Sequence, residues 1–577
     1  MKRCPECRRD YADDTLLYCL EDGAALIQGS VPSPNEPATA ILPSTDIPSE
    51  ARTQAQIYTT EKTAILPTGT EAEPSRNLTG STQKRSFSPR RVVPLILVVA
   101  VTILGGFFGY RYMKAGAGQQ VGSIAVLPFE NRSGNADTDY LSDGLADSLI
   151  YRLSQLPDLK VSPTSSVMRY KGKDTDITQI AKDLSVDAVM SGRLVQLGDS
   201  LNISVQLIDA RTSKLIWAEQ YDRKISDLLA TQREIATAIT QKLQLKLSGE
   251  ETKGITKKYT DNNEAYQLYL RGRFHFAKRT KAEILQGIDD FQHAIALDPN
   301  FALAYVGIAE AYAVMPSFAY MSPHEANPKA KPFLAKALEI DPDLAEAHVV
   351  AGVIAAYYDW KWDESEREFK RAIELDPNVA LAHFRYGWVL LSPLGRHDAA
   401  IAEMKRSLEL EPLSLIQGAN FAAVYMYARQ YELAEEQAKK TISLDPDFFA
   451  GPVWLCHIYN LEGKYSETIA LGEKSLQTSN PIFPDLIYAY AKTGRRPEAE
   501  ALLRRWKELK GSDYVSNYWR AIVYIALDDK EAAFSELEKA YEAHDWFMER
   551  LKVDPFMDPL RNDPRFADLV RKMGLPE

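Results

Sequence analysis

The sequence predicts a multidomain chain: a small metal-held ribbon, a single transmembrane helix, an α/β domain and an all-α solenoid of helical repeats. Three observations predict it. Cysteines stand at positions 4, 7 and 19, residues 92–110 carry no charge, and an acidic residue followed by proline recurs at near-constant spacing between 298 and 446. A chain of 577 residues is also too long for one hydrophobic core. Composition, 45% apolar and 25% charged, is that of folded protein. The net charge of -11, with no long basic run to relieve it, argues against a nucleic-acid partner. The fourth and last cysteine, Cys456, stands alone, so no disulfide framework holds the bulk of the chain.

The ribbon is expected over residues 1–28. Residues 4–22 read CPECRRDYADDTLLYCLED, two hairpin-like halves in which Cys4-x2-Cys7 faces Cys19-x2-Asp22. A tetrahedral metal needs four donors, and a carboxylate is an acceptable, harder substitute for a thiolate. The segment resembles short zinc ribbons with facing "CPxC" and "YCxxDG" hairpins. The resemblance implies a structural zinc held by Cys4, Cys7, Cys19 and Asp22, the metal supplying folding energy that so short a segment lacks. The alternative is a degenerate ribbon without metal, since Asp22 stands where the fourth thiolate belongs.

Residues 29–90 are rich in Pro, Ser, Thr and Ala without apolar periodicity and read as a disordered linker. The transmembrane helix is expected over 91–112, around VVPLILVVAVTILGGFFGY, because about 20 apolar residues cross a bilayer core of roughly 30 Å. Arg76, Lys84, Arg85, Arg90 and Arg91 precede it and only Arg111 and Lys114 come closely after. This bias places the amino terminus in the cytoplasm and the later domains outside it, in a bacterial inner membrane. Gly105 and Gly109 form one GxxxG, a weak signal for homodimerisation along the helix.

Strand and helix patterns alternate over residues 121–247. SIAVLPF at 123–129 is a β-branched apolar run closed by proline, and Leu141, Leu145, Leu149 and Leu153 form one helical stripe. A short helix over about 176–184 precedes three strands joined by turn-like VQLGDS and ARTSK, an antiparallel meander. A last amphipathic helix over about 226–246 leads out. The stretches SIAVLPFENRSG, YLSDGLADSLIYRLSQL, VDAVMSGRL and LIWAEQYDR resemble the TolB-like amino-terminal domain. The resemblance implies a non-catalytic, extracytoplasmic module of bacterial signalling proteins, whose cytoplasmic part can be a kinase, a cyclase or a winged-helix regulator.

From 260 to 577 the prolines of LDP, IDP, LDP, LEP and LDP lie 43, 35, 35 and 34 residues apart. A period near 34 resembles the tetratricopeptide (TPR) repeat. Small residues such as Gly307, Gly352, Gly387, Ala422 and Cys456 stand where paired helices must touch, and proline stops each second helix. About eight repeats are expected, closed by a C-terminal capping helix in NDPRFADLVRKMGLPE. Cys456 occupies a packing slot and reads as a buried, inert thiol.

A solenoid of this kind binds through its concave face. The register places Val349, Val353, Phe384, Trp388, Met426 and His457 inward, an apolar and aromatic stripe suited to a protein or peptide ligand. The same stripe could be buried within the chain instead. No HExxH, P-loop, GxSxG or kinase signature occurs, so no catalytic residue is assigned and the chain is expected not to be an enzyme. The function expected is a membrane-anchored protein-binding scaffold or signal relay. The alternatives are a regulatory partner, in trans, of a Ser/Thr kinase or nucleotide cyclase, and a zinc-ribbon transcriptional regulator.

Overall fold

The computed structural model describes strand residues 2–3, 10–11 and 27–28, and residues 121–576 apart from 135–137, 174–175, 478–481 and 509–515. The chain divides into two units, Met1–Thr102 and Ile103–Glu577. In the first, β1 (Lys2–Arg3), β2 (Asp10–Tyr11) and β3 (Ile27–Gln28) pair antiparallel in the order β2-β1-β3.

Two expectations are corrected here. The proposed zinc ligands Cys4, Cys7, Cys19 and Asp22 lie outside the described residues, and among the described residues no group of three or more His, Cys, Asp or Glu side chains could hold a metal ion. The span 91–112 also lies outside them, and among the described residues no helix is long and apolar enough to cross a membrane. A bilayer core demands about 20 apolar residues in one helix. The longest helix described, Pro323–Ile340, has 18 and includes His324, Glu325, Lys329, Lys331, Lys336 and Glu339. Among the described residues neither a zinc ribbon nor a transmembrane helix is found, and the inner-membrane placement, which rested on that helix, loses its support there.

The second unit begins with a sheet in the order β6-β4-β7-β8-β9, with β5 beside β7. Its strands are β4 (Ser123–Val126), β5 (Glu130–Asn131), β6 (Lys160–Ser162), β7 (Ala188–Leu197), β8 (Ser200–Asp209) and β9 (Lys214–Lys224). β4 runs parallel to β6 and β7, while β7, β8 and β9 form an antiparallel meander. Along β8 the alternate residues Leu201, Ile203, Val205 and Leu207 are buried, the period of two that a sheet with one wet face demands. Gly192 of β7 has no room for a side chain: a Cβ there would stand 2.1 Å from Phe129 Cε1 and 2.8 Å from Ser204 O. The longer helices of this α/β part are α1 (Asp139–Ser154), α2 (Ile177–Leu184), α3 (Leu228–Lys242) and α4 (Gly249–Thr256). Leu141, Leu145, Leu149 and Leu153 of α1 are fully buried.

Eight helix pairs come next among the described residues. They are α5 (Asn263–Ala277) and α6 (Lys281–Leu297), α7 (Ala302–Val314) and α8 (Pro323–Ile340), α9 (Ala345–Tyr357) and α10 (Trp362–Leu375), α11 (Ala380–Arg385) and α12 (His397–Leu410). Then come α13 (Leu415–Tyr427) and α14 (Tyr431–Leu444), α15 (Ala450–Leu461) and α16 (Tyr465–Ser475), α17 (Phe483–Lys492) and α18 (Arg496–Glu508), α19 (Asn517–Ala526) and α20 (Lys530–Glu542). Small residues make the contacts. Phe291 of α6 packs so closely between two first helices that a Cβ at Gly272 or Gly307 would lie 2.6 or 2.8 Å from its ring. Hydroxyls finish the joints: Ser365 donates to the Gly352 carbonyl at 2.8 Å and Thr468 to the Cys456 carbonyl at 3.3 Å. A second repeated device is a histidine brace. His348 and His383, 35 residues apart, each place Nδ1 2.6 Å from a glutamate (Glu368, Glu403). Their Nε2 atoms lie 2.9 and 3.0 Å from the carbonyls of Pro342 and Pro377.

The α/β part docks along this array. A Cβ on Gly144 of α1 would meet Leu270 of α5 at 2.9 Å. Within the α/β part, Arg152, 1% exposed, donates to the Ile255 and Lys257 carbonyls at 2.8 and 3.0 Å and so fixes the segment that leads into the array. Further along, Lys257 pairs with Asp341 at 2.7 Å, Asn378 donates to the Leu156 carbonyl at 3.3 Å, and Ser165 donates to Glu411 at 3.1 Å. Contacts to α5, to residues 341 and 378, and to Glu411 leave the two parts little freedom to move separately.

Candidate functional site

First helices of successive pairs line the inner face of a helical array, so its chemistry is set by α5, α7, α9, α11, α13 and α15. The inner face has two halves. In the later half, the segment after α20 turns back across the helices. It contains two tight helical turns, Met548–Arg550 and Pro555–Leu560, and ends in α21 (Pro564–Lys572). Asp563 caps α21 by accepting from the Arg565 amide at 3.0 Å, and Pro564 fills the first turn, where no amide donor is needed.

This returning strap covers the expected ligand groove. Val349, Val353, Phe384, Trp388 and Met426 belong to one buried cluster with Trp546, Met548, Leu551 and Phe556 of the strap, and Trp388, the most exposed of these five, is 6% exposed. Trp546 stacks on Tyr357 with ring centres 3.6 Å apart. Arg550 lies over the rings of Trp388, Phe547 and Tyr427 at 4.7, 5.0 and 5.8 Å, and donates to the Tyr427 hydroxyl at 3.3 Å. Its carboxylate partner is the adjacent Glu549, at 2.9 Å from Nε. His457 is 3% exposed, with Nδ1 2.8 Å from the Val453 carbonyl and 3.0 Å from Asp485, and its ring faces Phe556 and Trp519. The six residues expected to meet a partner are thus brought to one face but are covered by the chain's own carboxyl-terminal segment.

Helix geometry aims the central anchor. After α11, residues Tyr386–Leu391 form a π-helical turn, in which the Ser392 amide reaches the Gly387 carbonyl at 3.0 Å. One extra residue per turn rotates the downstream residues relative to an α-helix, and such turns recur at functional sites. Gly387 in this turn lets the paired helix α12 approach closely: a Cβ would lie 3.0 Å from the Ala400 carbonyl.

Burial perturbs several carboxyls. It pushes Glu411 up to about 7 against hydrogen bonds from Ser165, Ser414 and Gln417, and Asp376 up to about 7 against the Asn378 amide. It also raises Glu549, opposed by Arg550, and raises Asp554, which accepts from the Tyr518 hydroxyl at 2.8 Å.

The earlier half of the face was missed in the sequence. It carries Arg273 of α5, Arg279 just beyond it, Glu310 of α7 and Arg385 of α11. Arg273 pairs with Glu310 at 3.3 Å. Arg273 stands next to Gly272, the small slot of the first pair, and that register would have flagged it.

The fold and this face define a class: a helical-repeat protein with an α/β part docked along it and a concave surface that holds polypeptide. Residues 119–238 match the model of the HilA/YgeH-like transcriptional regulator, second domain, and residues 380–412 match the tetratricopeptide repeat. Over 188 residues the chain is 33% identical to the Rhizobium meliloti protein named "Putative adenylate cyclase 3", a match covering 32% of each chain. Over 242 residues it is 23% identical to the transcriptional regulator HilA of Salmonella typhimurium, covering 40% of this chain and 41% of that one. The matches therefore span well under half of either relative's length. TolB from Acinetobacter baumannii is 18% identical over 22% of this chain and 29% of that one, with a TM-score of 0.17, too low to bear on the fold.

These findings correct three expectations. The family model over the α/β part is the HilA/YgeH-like one, with TolB only a distant likeness. The relatives carry names of a cyclase and a transcriptional regulator, which overturns the reading as a membrane scaffold. The expectation of a chain without enzymatic character falls with the match to a cyclase-named protein.

Proposed function

We propose that this chain is a regulatory module that recognises a polypeptide and passes the signal to an output of the cyclic-nucleotide or transcriptional kind. One observation carries the reading. Residues 119–238, which match the second domain of HilA/YgeH-like regulators, belong to an α/β part that, in this chain, is locked along a helical array through Gly144, Lys257 and Glu411. Sequence shared with relatives named for different outputs is suited to an input role, and a rigid joint converts ligand occupancy on the array into a shift of the α/β part. Val349, Val353, Phe384, Trp388, Met426 and His457 belong to this scheme as the seat of the strap, and meet an external partner only when the strap has withdrawn.

The match to the cyclase-named protein favours cyclic-nucleotide output first; the match of residues 119–238 favours transcription second. The deciding experiment measures cyclic AMP formed from ATP and magnesium by the purified full chain, and by a host lysate with and without it. Synthesis by the chain, or a change in the lysate's rate, supports the first output. A change confined to transcript levels on expression supports the second. No change in either sinks the proposal.

A further inference from the structure

The half of the concave face that the strap leaves uncovered is lined by arginine. Arg273 and Glu310 pair at 3.3 Å, and Asp147 and Glu346 also lie close enough for their charges to act on Arg273. Arg279 and Arg385 are different: among the described residues neither makes an ion pair or a side-chain hydrogen bond to a carboxylate. Their surroundings are aromatic. The Arg279 guanidinium lies 4.0 Å from the centre of the Phe276 ring, and that of Arg385 lies 5.2 Å from Phe384. Desolvation pulls both below the ordinary arginine value, and the charges of Arg273 and Arg385 act on Arg279 in the same direction, with Glu310 alone opposing. Three guanidiniums are thus gathered, and the carboxylates near them, Glu310, Asp147 and Glu346, attend Arg273, leaving Arg279 and Arg385 without an ion pair among the described residues.

Crowding like charges at a partly desolvated surface is costly unless a counter-charge arrives. We propose that this arginine-lined half of the groove binds an extended acidic polypeptide segment, with Arg279 and Arg385 taking its carboxylates. The guanidinium fork matches a carboxylate with two parallel hydrogen bonds. The three arginines come from α5, the turn beyond it and α11, and an extended chain can offer each of them a carboxylate of its own. The neighbouring half of the same face already holds a segment of polypeptide, the strap, whose Trp546 stacks on Tyr357. The site deepens the regulatory reading above and rests on its premise that the array recognises polypeptide.

The test uses the full chain and a fluorescein-labelled dodecapeptide of alternating Glu and Ala, with a Gln-for-Glu peptide and a twelve-nucleotide single-stranded DNA of the same label as comparators. Fluorescence anisotropy is expected to show binding of the acidic peptide that weakens at least tenfold in Arg279→Gln/Arg385→Gln and falls with added salt. Arg385→Lys, which keeps the charge and loses the fork, is expected to lie between. Should the double variant unfold by circular dichroism, Arg279→Gln alone, at an exposed position, carries the comparison. Equal affinity for the variant, equal binding of the Gln peptide, preferred binding of the DNA, displacement of the peptide by millimolar inorganic phosphate, or no binding at all overturns the proposal. Peptide binding with no effect on cyclic AMP or transcription keeps this site and rejects the regulatory reading; the converse rejects the site alone.

Discussion

The Arg550 guanidinium carbon lies 4.7 Å from the centre of the Trp388 ring, so the chain fills its own groove with a cation set on an aromatic face. Glu549, 1% exposed, supplies the counter-charge from the next residue.

That pair sets the first expectation. Arg550→Ala leaves Glu549 buried without a partner and should cost about 3–5 kcal/mol in urea unfolding. Replacing both, as Glu549→Gln/Arg550→Met, should cost clearly less, because neither buried charge is left alone. A double variant as damaging as the two single changes added together would refute the account.

The strap should also prove to be core. Trp546→Ala removes the 3.6 Å stack on Tyr357; about 3–5 kcal/mol of stability should be lost. Binding of an apolar-surface dye should rise at temperatures where the wild type binds little. Unchanged unfolding would mean that the strap is a loose tail.

At the joint of the α/β part with the helices, Gly144→Ala places a methyl 2.9 Å from Leu270. Overpacking of this order should cost about 1–3 kcal/mol. Hydrogen exchange should quicken on both sides of the joint, in α1 and in α5. Faster exchange in α1 alone would show that the two parts open independently.

Stability should fall as pH rises from 5 to 8. Burial holds the Glu411 carboxyl up to about 7, so the folded chain binds more protons than the unfolded one between its usual value and 7, and stability declines through that window. His348 is raised, chiefly by its hydrogen bond to Glu368, so its contribution is full below the ordinary histidine value and is lost as pH climbs through the folded one. Both act in one direction. Glu366, lowered to about 2, titrates below this window. Urea midpoints at pH 5 and 8 should differ, and Glu411→Gln should shrink the difference by on the order of 1 kcal/mol. A midpoint that climbs with pH would count against the assignment.

Cys456 should stay silent in the native state. It is fully buried, and burial, helped by the Asp485 charge, pushes its thiol well above the usual range. Iodoacetamide at pH 8 should leave the Cys456 peptide unmodified by mass spectrometry until denaturant is added. Labelling at the rate of a free thiol would place it at the surface.

Much of the second unit was legible in local pattern. The alternation in SVQLID and the turn residues of VQLGDS announce the β7–β8–β9 meander, because one buried sheet face imposes a period of two. Gly307, Gly352 and Cys456 announced the helix contacts, because only small residues let Phe291 or Phe369 approach. The groove was misjudged for a physical reason. An inward apolar stripe looks the same whether a partner or the chain itself covers it, and nothing local to Trp388 records that Arg550, 162 positions later, lies on it. The arginine half was missed because its residues come from three repeats and acquire a common environment only when the array curves.

By itself the sequence determined which segments are strand and which are helix and where the helices touch, since those depend on neighbours a few residues away and on side-chain volume. The tertiary structure alone decided that the carboxyl-terminal strap occupies half of the inner face, that the α/β part is fastened along the array, and that Arg279 and Arg385 make no ion pair among the described residues. Each of those depends on the distance between residues far apart in the chain, a quantity fixed by how the helices stack and by no short stretch of sequence.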